Sequence, residues 1–229
     1  MAEIVTTKDN LTFLIRPETI DREIIKSVKR DYASLPVTPS DIVLDIGAHI
    51  GIFSIRAAKK ASFVYSYEPS RENCQYLDMN LRSNDIENCS WYNKAVVGNL
   101  DRTRSLNINI RKNSGGHTLI PKMRGDAHSQ IVECTNINDI ISDKKPTIVK
   151  MDCEGSEYEI IRGIKSFGAI RALTLEWHST LLKDGDDSKL NEIVNKLSLH
   201  FGKVKFKATN PKDWYGLQII ICIKDGDDW

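Results

Sequence analysis

The sequence predicts an α/β fold with a doubly wound, mostly parallel sheet. Three observations predict it. Short apolar runs alternate with segments of helical periodicity along most of the chain, the pattern of successive βαβ units. The first apolar run of that series, Asp41 to Asp45, leads straight into a glycine-bearing loop and then a helix. The 229 residues, 41% apolar and 28% charged, supply core enough for one domain over residues 1–229 and exclude a disordered polyelectrolyte.

The elements follow in order. Glu3 to Arg16 reads as a strand, an Asp9-Asn10 turn and a second strand. Residues 18–32 place Ile20, Ile24, Ile25 and Val28 on one helical stripe, so 1–40 form a hairpin and helix ahead of a core over 41–229. Strand 41–45, helix 52–60, strand 62–67 and helix 70–81 come next, the last with Ser70 as N-cap. A third strand spans 90–96. Residues 99–130, rich in Asn, Arg, Ser and Gly, read as a long irregular region on the acceptor side of a site. A strand over 131–135 and a short helical turn lead to strand 147–152. Ser156 and Glu159 match a capping box that opens a helix. Strand 172–177, helix 188–200 and an antiparallel pair, 203–208 with 217–223, close the chain.

Composition excludes several classes. Thirty-two basic against 31 acidic residues give a net charge of +1, too little for a coat of nucleic-acid phosphates. No apolar run approaches the roughly 18 residues of a membrane span, and the N-terminus lacks the pattern of a secretory signal. Cysteines 74, 89, 134, 153 and 222 are odd in number and form no C-x-x-C pair. That favours a reducing, cytoplasmic setting over a disulfide framework or a structural zinc.

In a doubly wound sheet the ligand lies beyond the carboxyl ends of the strands. The first such end reads Asp45-Ile46-Gly47-Ala48-His49-Ile50-Gly51. Its glycines permit a tight turn, and the helix start behind it offers free N–H groups. Glu68 follows 23 residues after Asp45, at the end of the second strand, where a carboxylate suits a ribose diol. His49 stands where a dinucleotide fingerprint has its second glycine. A nucleoside ligand without a pyrophosphate is therefore favoured, S-adenosylmethionine above others. Asn93, ending the third strand, is a further candidate for the adenine.

Val43 to Phe53, Tyr67-Glu68-Pro69 and above all Ile148 to Glu157 resemble the FkbM-type S-adenosylmethionine-dependent methyltransferases. The resemblance runs from about residue 30 to residue 223. It implies a Rossmann-like seven-stranded sheet of class I methyltransferase type, with an antiparallel last strand, behind the N-terminal hairpin and helix. It also implies O-methylation of a hydroxyl, commonly on a sugar, a glycan or a natural-product scaffold; the alternatives are another small molecule, a nucleic-acid hydroxyl, or a non-catalytic module that only binds the nucleoside cofactor. The expected cofactor contacts are Asp45, Gly47, Ala48, His49, Gly51, Phe53, Glu68, Pro69, Asn93 and Asp152.

The reacting groups are legible without the family. Lys150 interrupts a strand that should be apolar on both faces. Period two puts Lys150 and Asp152 on one side, and Thr174, Glu176 and His178 on one side of the next strand. The expected catalytic set is Lys150, Asp152, Glu154, Glu176 and His178, with Lys150 paired to Glu176 or Glu154. Either His178 or Asp152 could take the hydroxyl proton; alternatively Asp152 and Glu176 could hold a divalent cation that acidifies the hydroxyl. The run 113–118, with His117, suits an acceptor lid or a plain surface loop. The basic residues Arg102, Arg104, Arg111, Lys112, Lys122 and Arg124 could attract an anionic acceptor.

Overall fold

A computed structural model describes residues 2–108, 114–120, 128–178, 187–208, 218–224 and 226. Of the basic cluster, residues 111, 112, 122 and 124 lie outside that set. The hairpin forms as predicted, from β1 (Glu3–Thr6) and β2 (Thr12–Ile15), turning at Asn10 with its backbone left-handed. Its free edge is closed by side chains of the core: Asn80 Oδ1 accepts from Leu14 N and Asn84 Oδ1 from Thr12 N. Satisfying an edge this way docks the hairpin and blocks further strand addition. Helix α1 (Asp21–Asp31) follows, burying Ile25 and Val28.

The main sheet contains β3 (Ile42–Ile46), β4 (Phe63–Tyr67), β5 (Cys89–Tyr92), β9 (Ile148–Met151), β10 (Ala172–Trp177), β11 (Lys203–Ala208) and β12 (Gln218–Ile223). Their order is β11-β12-β10-β9-β3-β4-β5, and only β12 runs antiparallel to its neighbours. The chain winds outward one way from β3 and the other way through β9 and β10. The switch point therefore falls at the carboxyl ends of β3 and β9. Helices α2 (Ile52–Ala58), α3 (Arg71–Ser83), α4 (Ile137–Lys144), α5 (Glu157–Gly163) and α6 (Asp187–Ser198) complete the layers. Val43, Val64 and Ile148 face one core, and Leu44, Val149 and Leu173 the other, as strands covered on both sides require.

Two expectations need correction. The predicted strand 90–96 is two strands. β5 stops at Tyr92, the chain turns through Asn93, and β6 (Ala95–Val97) leaves for a second sheet. That sheet adds β7 (Thr103–Ile108) and β8 (His128–Asn136) in the order β6-β8-β7, so the segment expected to be irregular holds a strand, β7, paired antiparallel with β8, which contains the predicted strand 131–135. Its apolar signal is thin, because only Leu106 and Val132 are buried from the two strands, against Ala95. The second correction concerns the capping box. Ser156 has helical backbone and makes no capping hydrogen bond; Glu157 instead accepts from Cys153 N and Gly155 N at 2.8 Å each. Among the described residues no helix is long and apolar enough to cross a membrane.

Candidate active site

A cavity of about 450 Å³ opens at the switch point, walled by the β3, β4 and β9 ends, by α1 and by residues 115–119. That size lies in the range of small-molecule sites. The glycine loop is built by backbone. Gly47 N and Ala48 N both donate to Tyr67 O, at 2.9 and 3.1 Å, tying the loop to β4. Gly47 has φ +76°, and a Cβ there would come within 1.7 Å of the Asp152 carbonyl oxygen. Glycine is required at 47 by both conformation and space.

Glu68 is 5% exposed on the cavity wall. Its Oε2 accepts from His49 N at 2.9 Å; its Oε1 accepts from Ser70 N at 2.9 Å and Asn73 Nδ2 at 3.1 Å. Burial pushes this carboxyl above its usual range despite those donors. A carboxylate accepts about four hydrogen bonds, so Glu68 has room for one more. Beside it, the buried Asn73 Oδ1 has no donor among the described residues. Glu68 stands on the cavity wall, where the sequence places it; Asn73 was not anticipated and shows only as one polar residue on the inner side of α3.

Several expected contacts lie elsewhere. Asp45 is wholly buried under the loop, accepting from Ser54 Oγ at 2.6 Å and standing 3.1 Å from Lys150 Nζ. Lys150 is thus paired with Asp45, in register on the adjacent strand, and not with Glu176 or Glu154. Its ammonium also donates to Gly47 O at 2.8 Å and lies 3.9 Å from Asp152 Oδ2. Burial opposes this charge, yet Asp45 and Asp152 hold the Lys150 pKa above its ordinary value. Ala48, Gly51 and Phe53 are buried behind the loop. Pro69 does line the cavity, but Asn93 is occupied with Glu68 O and Pro69 O, at 3.0 and 2.8 Å, and fixes the turn.

His49 adopts left-handed backbone, φ +52°, and turns its ring toward Arg16, Asp21 and Ser114. Burial lowers its pKa to about 3, so the ring is neutral. Ser114 also donates to Asp21, and Ser114 O accepts from Asn73 at 3.4 Å. Farther along, Thr118 Oγ1 donates to Glu154 O at 2.6 Å. Described residues 114–120 therefore bridge the cavity from its Glu68 side to its Glu154 side.

The acids on the β9 and β10 ends do converge. His178 Nδ1 lies 3.1 Å from Glu157 Oε1, and Nε2 lies 3.6 Å from Glu154 Oε2 and 3.9 Å from Asp152 Oδ1. Burial opposes charge on the imidazole, but Glu157, Glu154 and Asp152 outweigh it and raise the His178 pKa well above ordinary. The ligand atoms of Asp152, Glu154 and His178 lie within 4.8 Å of one another. Glu176 is not part of that group. Burial and the neighbouring Asp152 push Glu176 up to about 8. Tyr32, at the end of α1, reaches both acids: its hydroxyl lies 3.3 Å from Asp152 Oδ2 and 3.4 Å from Glu176 Oε2. Of the basic residues, Arg104 is held by Glu159 at 2.7 and 2.9 Å and by Asp101 at 2.9 Å.

The fold is shared with solved methyltransferases. TYW2 of M. jannaschii, solved with S-adenosylmethionine, aligns with a TM-score of 0.54 at 12% identity, covering 97% of this chain and 84% of that one. The methyltransferase FkbM of Methylobacillus flagellatus aligns with a TM-score of 0.52 at 20% identity, over 82% of this chain and 45% of that one. The fold is the Rossmann-like class I methyltransferase fold. The chain belongs to the FkbM family: the methyltransferase FkbM domain profile matches residues 45–203. Among curated proteins, a probable cobalt-precorrin-6B C(15)-methyltransferase of Methanococcus maripaludis is 35% identical over 97 residues, 41% of this chain and 52% of that protein. An uncharacterized RNA methyltransferase of Caldanaerobacter subterraneus is 37% identical over 79 residues, 34% of this chain and 17% of that protein. The chain spans about half the length of the precorrin relative and less of the RNA enzyme.

Proposed function

We propose that the protein methylates a hydroxyl of a small-molecule acceptor, a sugar or glycan being the class the family resemblance favours, with Asp152 as the base. One observation carries this reading. At the switch point a partly exposed carboxylate, Asp152, faces the cavity 3.9 Å from the buried Lys150 ammonium. When bound, S-adenosylmethionine supplies a methyl group on sulfur, whose C–S bond breaks as the new bond to the acceptor oxygen forms. The chain aligns the acceptor and takes its proton on Asp152; a poorly acidic hydroxyl needs that removal. Glu68 and Asn73 hold the ribose, and Lys150 fixes the Gly47 carbonyl and thus the loop.

The relatives favour a second reading, methylation of carbon or of RNA. Asp31, Glu68, Asp152, Glu154 and Glu176 all face the cavity, which opposes a phosphate-rich acceptor. Carbon methylation would use the same base against a C–H made acidic by conjugation. The test is turnover to S-adenosylhomocysteine with three panels: free and nucleotide-linked sugars, precorrin-like tetrapyrroles, and transcribed RNA. Turnover confined to the tetrapyrroles or to RNA overturns the hydroxyl assignment.

A further inference from the structure

The family match begins at residue 45, so α1 lies outside it, yet α1 delivers Tyr32 to the reacting end of the crevice. We propose that Tyr32 is a positioning residue whose single hydroxyl proton sorts the protons of two carboxyls, leaving Glu176 protonated and Asp152 free to accept. The argument is one of counting. A phenol has one hydrogen and can donate it once, but its oxygen stands 3.3 Å from Asp152 Oδ2 and 3.4 Å from Glu176 Oε2. Tyr32 is 6% exposed and lines the cavity together with both acids. Were both carboxyls ionised, one contact would set oxygen lone pairs against each other. All three groups are satisfied when one carboxyl donates to the phenol oxygen and the phenol donates to the other.

The surroundings choose which. Asp152 has two cationic nitrogens at 3.9 Å, Lys150 Nζ and His178 Nε2. Among the described residues no Lys, Arg or His nitrogen forms an ion pair with Glu176. The charged groups facing this trio are Asp31 from α1, Asp45 from β3, Lys150 from β9, Glu154 beyond it and His178 after β10. Burial and that excess of acid raise Glu176 to about 8, in agreement with the count. The proton runs from Glu176 to the Tyr32 oxygen, and the Tyr32 proton to Asp152 Oδ2. Asp152 Oδ1 keeps its lone pairs for the acceptor. Tyr32 is held for this by its ring, edge-on to Phe53 at 5.6 Å and under Lys150 Nζ at 5.5 Å.

The experiment is a carbon-13 NMR titration of the full chain labelled at glutamate carboxyls. One glutamate should titrate near pH 8, and Glu176→Gln should remove that signal while Glu68, also raised, keeps its own. In Tyr32→Phe, which preserves the ring packing, the Glu176 midpoint should fall by about one pH unit or more, with S-adenosylmethionine affinity by calorimetry unchanged within about twofold. Persistence of the pH 8 signal in Glu176→Gln overturns the proposal, as does a Glu176 midpoint in Tyr32→Phe within a few tenths of wild type. The inference rests on Asp152 as base, but the titration needs no acceptor. A successful titration without hydroxyl methylation would sink the proposed acceptor and leave the proton arrangement standing.

Discussion

The two halves of the crevice are built by different means. On the β3–β4 side the backbone does most of the work: Gly47 and Ala48 donate to Tyr67 O, and His49 and Ser70 donate to Glu68. On the β9–β10 side the work is done by side chains crowded together: Asp152, Glu154, Glu157, Glu176, His178 and Tyr32 contact one another. Backbone donors cannot change charge, so the first half is a fixed cradle. Titratable groups forced together displace one another's pKa values, so the second half is where proton chemistry belongs.

That contrast can be broken from either side. The largest effect expected is from Gly47→Ala. A left-handed alanine costs about 1–2 kcal/mol and the clash with Asp152 O about 1–3 more, so roughly 2–5 kcal/mol of stability should go. Thermal unfolding and a calorimetric titration with S-adenosylmethionine would read both the loss and the failure of the cradle. Next, Asp152→Asn should lower kcat by about 10²–10⁴ with cofactor affinity nearly kept, seen in single-turnover assays with whichever acceptor the panels find. A matching loss of affinity would move Asp152 into the cradle half. Glu68→Ala, taking away an acceptor that burial has made costly to replace, should weaken S-adenosylmethionine about 10-fold to 100-fold by calorimetry. An unchanged Kd would reject the ribose assignment.

The smallest effect is a slope with pH. His178 has a folded pKa raised above its ordinary 6.5, so its contribution is complete below 6.5 and fades as pH rises through the folded value. Glu157, buried but overcome by His178, has a folded pKa below its ordinary 4.5; its contribution holds above 4.5 and fades on acidification. This pair alone would keep urea midpoints highest between about pH 4.5 and 6.5. Glu176, raised to about 8, and Glu68, also raised, cost stability as pH climbs above about 4.5, so midpoints should peak near pH 4.5 and decline toward alkaline pH. His178→Gln should flatten the alkaline part of that curve. An identical slope in the variant would show that the pair does not set it.

Legibility in the sequence followed the same division. The glycine loop and Glu68 were legible because a strand, a turn and a helix in succession fix where backbone groups point. Lys150 was legible as an anomaly, a charge in a buried strand, but its partner was not. Asp45 is 105 residues away in the chain and adjacent only through the β3–β9 register. Asn93 could be read as an adenine contact or as a turn asparagine, and its Nδ2 does staple the turn, since a polar residue at a strand end serves either purpose. Of the β7–β8 pair, β8 was legible over 131–135, but β7 was hidden because its one buried residue, Leu106, leaves no visible alternation.

By itself the sequence determined the alternation of strands and helices, the glycine that only a tight turn tolerates, and the acids at the strand ends. These depend on local sterics and periodicity, which neighbouring residues carry among themselves. Only the tertiary structure decided that Lys150 answers Asp45, that Asn73 joins Glu68, and that Tyr32, from a helix ahead of the family domain, stands between Asp152 and Glu176. Charge pairing and proton placement depend on distance and burial, and those exist only once remote segments have been packed together.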